Sequence, residues 1–202
     1  MTPTLRRVPS TQAAEAARLY ARAFLDDPLF TYFVPDPRNR REKLTHLFEF
    51  VTRGGLTFGE VLTMGDRPTS TASLLPPDNI KWTLWQQISC GGIKLCLTLG
   101  LGVVHRMSSF HDFSTALQRR CLPERHYYLE LLAVDPDAQG TGQGGSMLRA
   151  IQARLSAERM PLYLETENEK NVPFYAKRGF TILEATHVPK TSIPVWAMAW
   201  HP

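Results

Sequence analysis

Two hydrophobic periods run along this chain, and the switches between them mark its elements. "LRRVPS" reads as a short first strand. Ser10 or Thr11 then stands where a cap would start a helix over "TQAAEAARLYARAF", with Ala17, Tyr20, Ala21 and Phe24 on one stripe. "DDPLFTYFVPDP" is a proline-punctuated break holding a short helical turn. The three-to-four spacing resumes in "RREKLTHLFEFVTR", with Leu44, Leu47, Phe48 and Val51 inward, and Gly54-Gly55 is expected to end that helix. "LTFGEVLTM" and "TSTASLLPP" read as antiparallel strands joined around "GDRP".

From Ile80 to about Arg120 strand signals vanish and the pattern is helical. "HYYLELLAV", His126 to Val134, is a strong strand. "SMLRAIQARLSAE" is an amphipathic helix with Met147, Leu148, Ile151 and Leu155 on one face. "PLYLET" is a strand, "EKNVPFYAKRG" a helix with Gly179 as its stop, and "FTILEATHV" and "IPVWAMAW" two closing antiparallel strands. The order is mixed α and β, of the α+β class, without repeats or linkers. It implies one domain over residues 1–202 with a helical insertion at about 80–120.

Composition narrows the class. At 202 residues, 43% hydrophobic and 21% charged, the chain suits a globular domain with a substantial core. A net charge of +4 suits an anionic ligand but shows no basic stripe, so no nucleic-acid partner is expected. The one basic clump, "RNRREK", reads as a solvated helix face. Three cysteines, Cys90, Cys96 and Cys121, with no CxxC pair point to a reducing, cytoplasmic setting and no structural metal. "MTPTLRRVPSTQ" lacks the apolar core of a signal peptide. The most apolar run, Gly91 to Val104, carries Lys94 and is too short to span a bilayer, so no membrane partner is expected.

One stretch demands a chemical reason. "VDPDAQGTGQGG", Val134 to Gly145, holds four of the chain's 13 glycines between a strand and a helix. A nucleotide P-loop requires a lysine after its glycines, and Ser146-Met147 stands there instead. The dinucleotide fingerprint G-x-G-x-x-G can be laid on Gly140, Gly142 and Gly145, with Glu165 as the acidic residue. "DPDAQ" separates those glycines from the strand, however, and the chain left after Gly145 is too short for a doubly wound sheet. A third pattern, Q/R-x-x-G-x-G/A, fits Gln139, Gly142 and Gly144. Bare N–H groups at a helix mouth make an anion seat. Downstream, Asn168 precedes Tyr175 by seven residues, and Gly179-Phe180 follows.

These two motifs resemble the GNAT superfamily of acetyl-CoA-dependent N-acetyltransferases. "YLETENEKNVPFY" and "PVWAMAW" look most similar to its puromycin N-acetyltransferase-like branch. The resemblance implies a central mixed, mostly antiparallel sheet flanked by helices, with the acetyl-CoA-binding core at about 127–180. It implies that Gln139, Gly140, Thr141, Gly142, Gln143, Gly144 and Gly145 hold the coenzyme's phosphates. It further implies that the backbone at Leu132, Ala133 and Val134 meets the thioester, that Asn168 binds the pantetheine arm, and that Tyr175 is both a coenzyme contact and the general acid. The residues do not identify the acceptor, and the puromycin-like branch implies a small-molecule amine. A protein or peptide amine, or an acyl-CoA-binding module without activity, stays open.

The amine sets the remaining demand. With a pKa near 10.4, only about one lysine-like amine in ~2,500 is neutral at pH 7, so a base or a desolvating pocket is required. Alternation places Tyr128, Glu130 and Leu132 on one face of the strand, making Glu130 the first base candidate. Glu165 is the second, or binds the substrate's cation. His126 titrates in the right range but stands at a strand start, where a structural role competes. The aromatic segments Phe30 to Phe33 and Trp82 to Phe113 read equally as core or as pocket wall.

Overall fold

The computed structural model describes residues 4–202. Met1 to Pro3, where the stretch read as lacking a signal peptide's apolar core begins, lie outside the described residues. Seven strands form one sheet: β1 (Leu5–Arg7), β2 (Glu60–Met64), β3 (Ser70–Leu75), β4 (Tyr127–Val134), β5 (Leu162–Thr166), β6 (Thr181–His187) and β7 (Pro194–Trp200). Their order is β1-β2-β3-β4-β5-β7-β6. Among the described residues, only β4 and β5 pair in parallel. The sheet is thus mixed and mostly antiparallel, as expected.

Helices cover both faces. α1 (Ala13–Ala23) and α3 (Pro37–Phe58) pack on one, with the short α2 (Pro28–Phe33) between them in sequence. α7 (Gln143–Glu158) packs on the other, its Met147, Leu148, Ile151 and Leu155 fully buried against Leu62, Leu74 and Leu164. Each such side chain contributes roughly 1.5–3 kcal/mol of burial. α8 (Val172–Ala176) follows β5 after one turn of 3-10 helix. Among the described residues, no helix is long and apolar enough to cross a membrane.

Three local expectations fail. Ser10 and Thr11 lie in a 3-10 turn ahead of α1, and no side chain caps that helix. Gly54-Gly55 does not end its helix: α3 runs on to Phe58 and takes up residues read as the start of β2. The reason is a close approach. A Cβ on Gly54 would fall 1.7 Å from the Trp82 ring, so the glycine makes room for an indole instead of breaking the helix. The basic clump is not simply solvated. Arg40 donates to the Val34 carbonyl at 2.8 Å, and Lys43 Nζ donates to Leu99 O at 2.9 Å.

That last bond helps hold the insertion. Residues 80–120 form α4 (Leu84–Ser89), α5 (Gly92–Leu99) and α6 (Leu101–Cys121, one residue past the expected end). Arg53 donates to Cys90 O at 3.1 Å, and Arg106 donates to Phe33 O at 2.7 Å. With Lys43, these place three cations on the C-terminal carbonyls of α4, α2 and α5, where the helix dipole favours positive charge. The insertion is therefore clamped to α2 and α3 and becomes a wall.

Candidate active site

A site opens where β4 and β5 part. They pair only at Tyr127 with Leu162 and Tyr128 with Tyr163. Beyond that point β4 stays paired with β3, and β5 stays paired with β7. The register with β3 turns the Ala133 N–H and carbonyl toward Thr71 and leaves those of Leu132 and Val134 facing β5 without a strand partner among the described residues. The Val134 carbonyl accepts only a 3.3 Å contact from Gln139 Nε2.

The same strand carries a bulge. β3 pairs Ser73 with Leu131 and then Leu74 with Leu129, so Glu130 is the extra residue. The extra residue breaks the period of two. Leu131 and Ala133 pack with α1 and α3, whereas Leu129 and Leu132 both pack toward α7. The expectation that Tyr128, Glu130 and Leu132 share a face is thereby corrected. Glu130 instead accepts a 2.7 Å hydrogen bond from Ser73, on the α1 and α3 side.

On the α7 side of the split stands the glycine turn. Gly142 has φ of 85°, a left-handed conformation that glycine adopts without strain, and a Cβ there would project into open space. Gln143, Gly144 and Gly145 form the first turn of α7, where backbone N–H groups have no intrahelical acceptor. Side chains have turned away from the mouth: Gln143 Oε1 accepts from Thr69, and Thr141 donates to Ala138 O at 2.6 Å. The Arg178 guanidinium lies against Gly145, stacked 3.7 Å from the Phe174 ring centroid, and its Nε is buried without a partner. Arg149 is near enough that its charge, after burial, lowers the Arg178 pKa. Free amides, a helix N-terminus and two guanidiniums fit a pyrophosphate.

On the opposite side lies a cavity of about 470 Å³. Asp27, Glu130, Glu165, Glu167, Tyr128 and Tyr175 line it. Glu165, at the end of β5, accepts from Ser114 at 2.5 Å, Tyr163 at 2.9 Å and Tyr128 at 3.2 Å. Burial nonetheless raises it to about 7, against those three donors. Burial also raises Glu130 to about 7, opposed by Ser73. Among the described residues Glu167 makes no hydrogen bond to another residue's side chain, and its own backbone N–H is the one group that favours its charged form. It is held well above the ordinary carboxylate range by burial and then by the charges of Glu165 and Asp27. Asp27 caps α2 through Leu29 N at 3.0 Å, and burial raises its pKa too. Among the described residues, no three His, Cys, Asp or Glu side chains converge to hold a metal ion.

Tyr175, on α8, sits in this cavity with its ring edge-on to Phe174 and Phe180. Its hydroxyl makes no hydrogen bond among the described residues. Burial, then the charges of Glu167 and Asp27, push its pKa above the ordinary phenol value, so it stays protonated at neutral pH. Asn168 caps the turn before α8, accepting from Lys170 N at 3.2 Å. His126 is brought elsewhere. It lies in a separate surface depression, its Nδ1 2.6 Å from the Glu124 carbonyl, and burial lowers its pKa.

Three residues escaped the sequence reading. Glu167 was legible in principle, since Glu165 and Glu167 share a face at a period of two. Asp27 stood before Pro28 as a helix cap and gave no sign of facing a cavity. Arg178 lies inside the motif that carries Tyr175 and Gly179, and no spacing marks it as facing an anion.

The family model of the GNAT acetyltransferase domain matches residues 110–182. An uncharacterised N-acetyltransferase of Schizosaccharomyces pombe is 26% identical over 207 residues, covering 98% of this chain and 83% of that protein. Histone acetyltransferase HPA2 and related acetyltransferase from Corynebacterium glutamicum superposes with a TM-score of 0.75 at 23% identity, covering 100% of this chain and 97% of that one. The polyamine N-acetyltransferase of Drosophila melanogaster, which forms N-acetylagmatine, superposes with a TM-score of 0.65 at 13% identity over 98% of this chain and 99% of that one.

Proposed function

The chain belongs to the GNAT superfamily of N-acetyltransferases, and from that premise we propose that it transfers the acetyl group of acetyl-CoA directly to the amine of a small molecule. The observation that carries this is the parting of β4 and β5, with an anion seat on one side and a carboxyl-lined cavity on the other. A relative in fold that acts on a small amine supports the acceptor class. The three free cysteines support a cytoplasmic setting, and "YLETENEKNVPFY" supports the puromycin-like branch.

Acetyl-CoA supplies the acyl group as a thioester with a thiolate leaving group. The N–H groups of Gln143, Gly144 and Gly145 bind its phosphates, with Gln139, Gly140, Thr141 and Gly142 shaping the turn. The free edge of β4 along Leu132, Ala133 and Val134 takes the pantetheine arm, and the outward N–H groups of Leu132 and Val134 are the donors for the carbonyl, where a preorganised donor stabilises developing charge. Asn168 contributes its unused Nδ2. Glu130 takes the amine's proton, and Glu165 pairs with the substrate's cation. Tyr175 keeps a proton at its phenol oxygen for a departing thiolate.

A thiol-release assay with acetyl-CoA over a panel of amines tests this reading. Thiol release that depends on the amine, with an acetylated product, is expected. Acetyl-CoA binding without transfer to any amine would leave a binding module and overturn it.

A further inference from the structure

We propose that the acceptor is a primary monoamine on an apolar, aromatic-sized body, bound amine-inward with its body along the insertion helices; this rests on the acetyltransferase reading and names its substrate class. The cavity is polarised. Its four carboxyls come from Asp27 and from β4, β5 and the residue just past β5. The long wall comes from α3 and the insertion: Phe50, Val51, Trp82, Leu95, Val104 and Met107, with uncharged polar side chains such as Thr115 and Gln118 among them. Among the described residues no lysine or arginine lines it, and the insertion's titratable lining residues are Cys96 and His111. Burial, and then the charge of Lys81, hold His111 below its ordinary pKa, against Asp112, so it is neutral at pH 7.

α6 supplies a ruler. Ser114 touches Glu165, marking the acidic end. At 1.5 Å per residue, Ser108 lies about 9 Å further along the helix axis and Val104 about 15 Å. A second ammonium on a linear diamine would fall about where Ser108 stands, against a wall with no anion. Ser108 is exposed, so that ammonium would stay hydrated and gain no partner, while its linker would fill the wall less well than an aromatic body. A substrate carboxylate, as on a free amino acid, would enter the acidic end with no lysine or arginine of the lining to pair it. An aromatic or alkyl body needs no such partner and packs on the apolar part of the wall.

The experiment compares kcat/KM for tryptamine and phenethylamine with that for 1,6-diaminohexane, spermidine, tryptophan and a lysine peptide. We expect the two arylalkylamines to exceed every other acceptor by roughly 100-fold. A diamine, spermidine, tryptophan or lysine peptide used as well as tryptamine would overturn the substrate class while leaving acetyl transfer standing. Failure of every amine overturns both readings. Ser108→Asp, at an exposed helical position, adds the missing anion. It should raise kcat/KM for 1,6-diaminohexane about 10-fold or more with tryptamine nearly unchanged, and an equal effect on both would contradict the polarised cavity.

Discussion

Ser114 on α6 donates a 2.5 Å hydrogen bond to Glu165 at the end of β5, joining the helical insertion to the catalytic half of the sheet. The insertion therefore lines the cavity as well as packing. The bond also favours the charged form of Glu165. Ser114→Ala should move the acidic limb of the kcat/KM–pH profile upward by about one pH unit, given that a hydrogen bond to a charged group is worth about 1.5–3 kcal/mol. An unmoved limb would separate Ser114 from the ionisation that matters.

Tyr175 holds its proton at neutral pH because burial and two nearby carboxyls oppose its ionisation. Tyr175→Phe should lower kcat at least ~10-fold, with the KM for acetyl-CoA within a few-fold. Pre-steady-state acyl transfer and circular dichroism check that chemistry, and not folding, has been lost. Wild-type turnover in a folded variant would remove the acid role.

Gly142 is left-handed at the mouth of α7. Gly142→Val forces a β-branched residue into that conformation and so displaces the turn that presents the amides of the anion seat. Calorimetric titration should show coenzyme A affinity reduced by ~100-fold or more. Wild-type affinity would move the phosphates elsewhere.

Glu130 titrates at about 7 in the folded chain against an ordinary 4.5. The folded state holds a proton that the unfolded chain has already released. The resulting stabilisation is fully present below about 4.5 and is lost as pH rises through about 7. Glu130→Gln keeps an acceptor for Ser73 but cannot ionise. Its stability in urea titrations should gain on the wild type by about 1–3 kcal/mol between pH 5 and pH 8. A constant difference across that range would mean that Glu130 is not held protonated. Activity has the opposite sign: the base works only when ionised, so wild-type kcat should rise through pH 7.

The long-period elements were legible because their apolar stripes are long. α7 and β4 stand within a few residues of the pattern that announced them. What escaped was set by contacts distant in sequence. Gly54-Gly55 looks like a stop until Trp82 is found against it. Period-two alternation along β4 fails at Glu130 because a bulge depends on pairing with β3, which one strand's pattern cannot reveal. The glycine turn and Tyr175 were readable because the chemistry there is local: bare amides at a helix mouth, and a phenol at a fixed spacing. The carboxyl cluster was only partly readable. Asp27 and Glu167 are far apart in sequence and meet Glu165 across three elements.

The most direct measurement mixes the purified chain with acetyl-CoA and tryptamine, follows free thiol, and weighs the products. The account predicts one thiol released per tryptamine that gains one acetyl group, with the rate rising through pH 7. Thiol release at the same rate without amine, or an unmodified amine after the thioester is consumed, would contradict it.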